Sequence, residues 1–248
     1  MNSLNTAGLH PAVSRKVTPL FEELLREQGK NIHSLQVTGS AVLPDYDPQL
    51  SDVNSLVLLH TMDLGTLEYL APLGKKYGKH RIAAPLIMTP DYIRQSLDSF
   101  PVEFLDFKLI HATVYGEDLL RDLQIGLGDL RVQCEREIKS KLIHLRQGFL
   151  SAGGQKKHLA ETLVRSITGS MALFRAIITL SGGQAPMPRA DVIRMLAAST
   201  KLDSGIFEKL LLLKSGRIRP SDSELQQLFE GYHQALEKVG TFINDKRV

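Results

Sequence analysis

Residues 37–59 read VTGSAVLPDYDPQLSDVNSLVLL, an apolar strand that stops at Gly39-Ser40, a polar loop, and a second strand entered through Ser51-Asp52-Val53-Asn54. A Gly-Ser turn lets backbone N–H groups and a hydroxyl approach phosphate oxygens. An acid at the mouth of the next strand, about a dozen residues on, is where a divalent cation serving those phosphates would be held. Residues i and i+2 of a strand share a face, so a second acid is expected at position 54. Asn54 stands there instead. An amide offers one carbonyl oxygen and no charge. Two unit charges a few ångströms apart interact by several kcal/mol even at an effective dielectric near about 20.

Around this stretch the chain alternates element types. Val17–Gln28 carries Leu20, Phe21, Leu24 and Leu25 on one helical face and stops at Gly29. Ser34–Gly39 and Val53–His60 read as strands, Asp63–Tyr77 as a helix and Arg81–Met88 as a third strand. Thr89-Pro90-Asp91 opens a helix, with Thr as N-cap and Pro at its first position. Phe100–Leu109 (FPVEFLDFKL) reads as a fourth strand, and His111 and Tyr115 as i and i+4 of a connector helix. From about residue 118 the pattern is helical to the end. Helices are expected over 118–149, Gln155–Leu180, Arg189–Ala198, Gly205–Leu213 and Ser221–Ile243, the last entered through a Ser221/Glu224 capping box. The expected architecture is an α/β (α+β) domain with a mixed sheet over residues 1–115, followed by an all-α helical bundle over 116–248.

Composition narrows the functional classes. The 248 residues are 43% hydrophobic and 23% charged, as in a globular protein. No run of eighteen apolar residues occurs, which predicts no membrane span, and no leader pattern opens the chain, which makes the cytoplasm the expected compartment. The single cysteine, Cys134, excludes an internal disulfide and reads as a core residue. Net charge is uneven: residues 1–120 hold 10 Lys/Arg against 14 Asp/Glu, and 121–248 hold 20 against 13. The basic residues of the second half are spread at helical spacing, as on a solvated helix surface, and 6% aromatics without Trp leave little for base stacking, so no nucleic-acid partner is expected. Lys75, Lys76, Lys79 and Arg81 form the one dense basic cluster; a solvated turn is the simpler reading and phosphate contact the sharper one. Asp45 and Asp47 read as loop acids.

Taken together, the strand ending in Gly-Ser, the acid-initiated strand and the apolar–acid–apolar Val102-Glu103-Phe104 resemble the nucleotidyltransferase fold shared by DNA polymerase β. Within it the pattern is most similar to bacterial aminoglycoside nucleotidyltransferases and their relatives. FPVEFLDFKLIHATVYGEDLL and CEREIKSKLIHLRQGFL extend the resemblance over nearly the whole chain. The resemblance implies metal-dependent transfer of a nucleoside monophosphate from a nucleotide triphosphate, ATP first among them, to a small hydroxyl-bearing acceptor, with Mg2+ or Mn2+ as cofactor. It implies Gly39 and Ser40 on the phosphate side, Asp52 as metal ligand, Asn54 at the second ligand position, and Glu103 as third ligand or general base, with Asp106 as the alternative. The departure at Asn54 implies, as the alternative, a catalytically inactive nucleotide-binding or regulatory protein that keeps the fold. The apolar helices of the bundle allow a homodimer.

Overall fold

The computed structural model describes residues 4–49 and 51–246. It divides into two compact units: the residues up to Asp98 with Phe104–Gln124, and Ser99–Glu103 with the residues from Ile125 onward.

In the first unit α1 spans Pro11–Gln28, α2 Leu64–Gly78 and α3 Pro90–Gln95; α4, Pro101–Leu109, has its first three residues counted with the second unit and the rest with the first. The strands are β1 (Ile32–Thr38), β2 (Asn54–Leu59), β3 (Leu86–Met88) and β4 (His111–Gly116), in the order β3-β2-β1-β4. β1 pairs antiparallel with both β2 and β4, and β3 joins β2 in parallel. Helix α1 begins earlier than the apolar stripe suggests. Pro11 sits at its first turn and the His10 imidazole accepts the Ala12 N–H, so the start is capped six residues before Val17. Its stripe Val13, Val17, Leu20, Phe21 and Leu24 packs on Leu35 and Val37 of β1, Val57 and Leu59 of β2, and Leu73 and Tyr77 of α2. The alternate residues of β1, Ser34, Gln36 and Thr38, point to the opposite face yet are buried too, and the Gln36 amide donates to Ser34 Oγ at 2.8 Å.

Two expectations change here. Phe100–Leu109 is helix α4 rather than a strand, and His111–Tyr115 lies in strand β4 rather than a helix. FPVEFLDFKL supports both periods. Pro101 starts a helix well, and Val102 with Leu105 falls at helical spacing, both buried. Once α4 ends, the β-favouring Thr113-Val114-Tyr115 completes the sheet, and Gly116 closes it with φ +76°. Arg81–Met88 yields a strand only at Leu86–Met88, preceded by an isolated bridge between Val53 and Ile82. The Thr89 cap is as expected, its Oγ accepting from Tyr92 N at 3.1 Å.

The second unit holds α5 (Leu127–Ala152), α6 (Lys156–Thr168), α7 (Met171–Leu180), α8 (Arg189–Thr200), α9 (Gly205–Lys214) and α10 (Asp222–Asn244). The expected helix Gln155–Leu180 is two helices, because Gly169 and Ser170 break it, with a bend of 42°. The capping box at Ser221 is present in both directions. Its centre is aromatic: Phe207 meets Phe174 and Tyr232 edge-on, at ring separations of 5.5 and 6.0 Å. No single helix among the described residues is long and apolar enough to cross a membrane.

Cys134 lies fully buried on α5. Burial, reinforced by Glu137 and Glu103, pushes its thiol up to about 12, so at pH 7–9 it stays protonated and shielded. The folded protein should therefore give no colour with a disulfide exchange reagent, while the denatured chain reacts at its single thiol. Rapid labelling of the native state would contradict this packing.

Candidate functional site

The site begins where β1 ends. Thr38 is flanked in register by Asn54 of β2 on one side and His111 of β4 on the other. Gly39 then turns out of the strand with φ +66°, a conformation that costs a residue with a Cβ about 1–2 kcal/mol. Its N–H donates to Ile110 O at 3.2 Å, and the next residues wind into a single 3-10 turn, Gly39–Val42, that carries Ser40. A Cβ on Gly39 would lie 3.5 Å from the Asn54 amide nitrogen, so the Asn54 side chain rests against the turn. Gly39, Ser40 and Asn54 are thus brought to one end of the sheet. His111 completes that end. Its ring is held between Phe107 O (2.7 Å) and the Asp118 carboxylate (2.8 Å), and it stands beside Thr38 because it lies in β4 rather than in the expected helix.

Asp52 lies two residues before the strand proper and does not stand alone. Arg81 donates from Nε to its carboxylate at 3.0 Å, and the same guanidinium also donates to Gln49 O. The backbone explains the meeting: Val53 N bonds Arg81 O at 2.8 Å, and Ala83 N bonds Val53 O at 3.0 Å. A parallel bridge therefore sets position 81 beside position 52. Only knowledge of which strand neighbours β2 reveals this; the local sequence shows no more than a basic turn. Arg81 holds φ +60°, an uncommon conformation for a side chain of its size. Asp52 is more than half exposed, so the pair adds little stability, but it commits the carboxylate to a guanidinium.

Glu103 lies on α4. It sits in the first turn of α4, counted with the helical unit, and accepts from the Gln133 amide of α5 at 2.7 Å. The other end of the same amide accepts the Val102 N–H at 2.8 Å. Gln133 is buried and pins the start of α4 to α5, which gives Glu103 a structural partner. Asp106, three residues on, shares a helical face with Glu103 instead of opposing it.

These residues can be tested against a pair of divalent cations. Such a centre needs several converging carboxylates. None of the four strands contains an Asp or Glu. Asp52 is bound to Arg81, position 54 is an amide, and no group of three His, Cys, Asp or Glu comes together as a ligand set among the described residues. The donor set does not fit a two-metal cluster. The loop acids behave as loop acids, Asp47 bonding Gln49 N at 2.8 Å. Between them Tyr46 is buried against His10, with no hydrogen-bond partner for its hydroxyl among the described residues. In the helical unit, Arg175 is buried and donates to Pro186 O and Met187 O.

No family model matches the chain, and no curated protein matches it in sequence. Among solved structures it is similar to the spectinomycin adenyltransferase AAD(9) from Enterococcus faecialis, crystallised with ATP and spectinomycin. The TM-score is 0.58 and the identity 14%, and the match covers 90% of this chain and 99% of that one. At such identity the likeness is one of fold. The chain shares the fold of that adenyltransferase, with a mixed four-stranded sheet followed by helices.

Proposed function

We propose that this chain is a nucleotidyltransferase-like protein that binds a nucleotide triphosphate, ATP first among them, without transferring its nucleoside monophosphate. One observation carries the reading: the sheet has no carboxylate, and the acid at its mouth, Asp52, is held by Arg81. Transfer of the usual kind asks two cations to neutralise the triphosphate and align an attacking hydroxyl, and that needs ligand charge. The Gly39-Ser40 turn supports retained binding. Its left-handed glycine and 3-10 start need no metal to present N–H groups to phosphate. The similar fold of AAD(9), solved with ATP and spectinomycin, supports a nucleotide together with a small molecule as ligands. Glu103, with its Gln133 contact, serves here to fasten α4 rather than as a base.

Calorimetric titration with ATP in EDTA and in Mg2+ or Mn2+, paired with a pyrophosphate-release assay over a panel of hydroxyl acceptors, tests this. The expected result is ATP binding that the metal strengthens less than tenfold, no pyrophosphate, and no gain of turnover in Asn54→Asp. In that variant Asp52 still faces Arg81. Metal-dependent pyrophosphate release by the native protein would overturn the reading in favour of a working transferase. Failure of ATP to bind under any condition would leave only the fold.

A further inference from the structure

A second feature of the α/β unit stands apart from the Gly-Ser turn. A groove of about 550 Å3 runs between α1 and the turn after α2, lined by Ala12, Arg15, Lys16 and Pro19 on one side and Tyr77, Lys79, His80 and Arg81 on the other. Four of those eight residues are fixed cations, one is histidine, and none is acidic. Arg15, Lys16 and Lys79 make no ion pair among the described residues.

Two neighbouring acids, Glu23 and Asp52, are already engaged. Lys76 and the Tyr77 hydroxyl both donate to Glu23, at 2.7 and 2.6 Å, and Arg81 holds Asp52. The groove is therefore a local positive field in a half of the chain whose net charge is negative, with 10 Lys/Arg against 14 Asp/Glu over residues 1–120. A second observation comes from the backbone. Arg81 keeps a left-handed conformation that glycine would adopt without cost, a strain of about 1–2 kcal/mol, and lines the groove while its guanidinium holds Asp52.

We propose that this groove binds a small oligophosphate, free or as the phosphate chain of a larger metabolite, without a divalent metal. The size suits a compact ligand. An acidic module with one basic groove suits it better than a polynucleotide, which needs a long basic track and would meet the surrounding negative charge. Because the cations are supplied by side chains, Mg2+ is not required; by neutralising the ligand it should compete. The inference rests on the groove alone and survives if the Gly39-Ser40 turn binds nothing.

The test is calorimetry with inorganic tripolyphosphate in EDTA. Binding is expected in EDTA, weaker with rising salt and weaker again with Mg2+. Arg15→Gln with Lys79→Gln should weaken it at least about tenfold through loss of two charge-assisted contacts. Both side chains are exposed, so the variant should keep its melting temperature. Ser40→Ala should leave tripolyphosphate binding unchanged while lowering ATP affinity, which separates this groove from the nucleotide reading. No binding in EDTA, a strict need for Mg2+, or equal binding by the double variant would each overturn the proposal. So would a single-stranded oligonucleotide that displaces tripolyphosphate at lower phosphate concentration, since it would assign the groove to nucleic acid.

Discussion

Gly116→Ala is expected to unfold the sheet at a much lower urea concentration than the native chain. Gly116 closes β4 opposite Ser34, with φ +76°. A Cβ there would lie 2.1 Å from His33 O and 2.9 Å from Ser34 Cα, both backbone atoms that cannot swing aside. Left-handed strain of about 1–3 kcal/mol adds to an overlap of about 1–3 kcal/mol, for a total of roughly 2–6 kcal/mol. The loss should spread to the site. β4 presents His111 beside Thr38, and the residue before it accepts the Gly39 N–H, so parting β1 from β4 releases the Gly-Ser turn. Gly153→Ala separates the two causes. Gly153 also holds a positive φ, +53°, but a Cβ there meets nothing within 4 Å, so it should cost only the strain, about 1 kcal/mol. Equal midpoints for the two variants, read by far-ultraviolet circular dichroism, would show that the close approach to β1 is absent.

Gly116 also shows where the sequence is legible. A glycine after Thr-Val-Tyr could end a helix or a strand, and the helix reading of His111 and Tyr115 followed from taking the preceding ten residues as a strand. In FPVEFLDFKL apolar residues satisfy both periods, so local pattern cannot choose; packing of Val102, Phe104 and Leu105 into the interior does. That single choice decided where Glu103 lies. The turn at Gly39-Ser40 and the strand entry after Asp52 were legible because they are local features of the chain. The fold class was legible for the same reason, as strands gave way to helices after the first half. Arg81 was not, because its contact with Asp52 depends on the order β3-β2-β1-β4, a fact of the sheet and not of any one segment.

In the helical unit the largest loss should come from Phe207→Ala. Phe207 is fully buried on α9 and packs edge-on against Phe174 of α7 (interplanar angle 83°) and Tyr232 of α10 (90°). Three helices, α7, α9 and α10, therefore share one ring. Removing it deletes the buried ring atoms and leaves a cavity that rigid aromatic neighbours cannot close, at a cost of about 3–5 kcal/mol. Tyr232→Phe is the contrasting variant. It keeps the aromatic cluster and removes only the hydroxyl that meets Ser166 at 3.1 Å and Ser170 at 3.4 Å. Its cost should be near 1 kcal/mol, because Ser170 Oγ still donates to Ser166 O at 2.7 Å and Ser166 is only half-buried. The cavity supplies a readout that general destabilisation lacks. An apolar space of that kind stays dry and admits small aromatics, so benzene should raise the melting temperature of Phe207→Ala and leave the native chain unmoved. If Tyr232→Phe proves the costlier change, the unit is held at its centre by the Tyr232–serine hydrogen bonds and not by the ring that α7, α9 and α10 share.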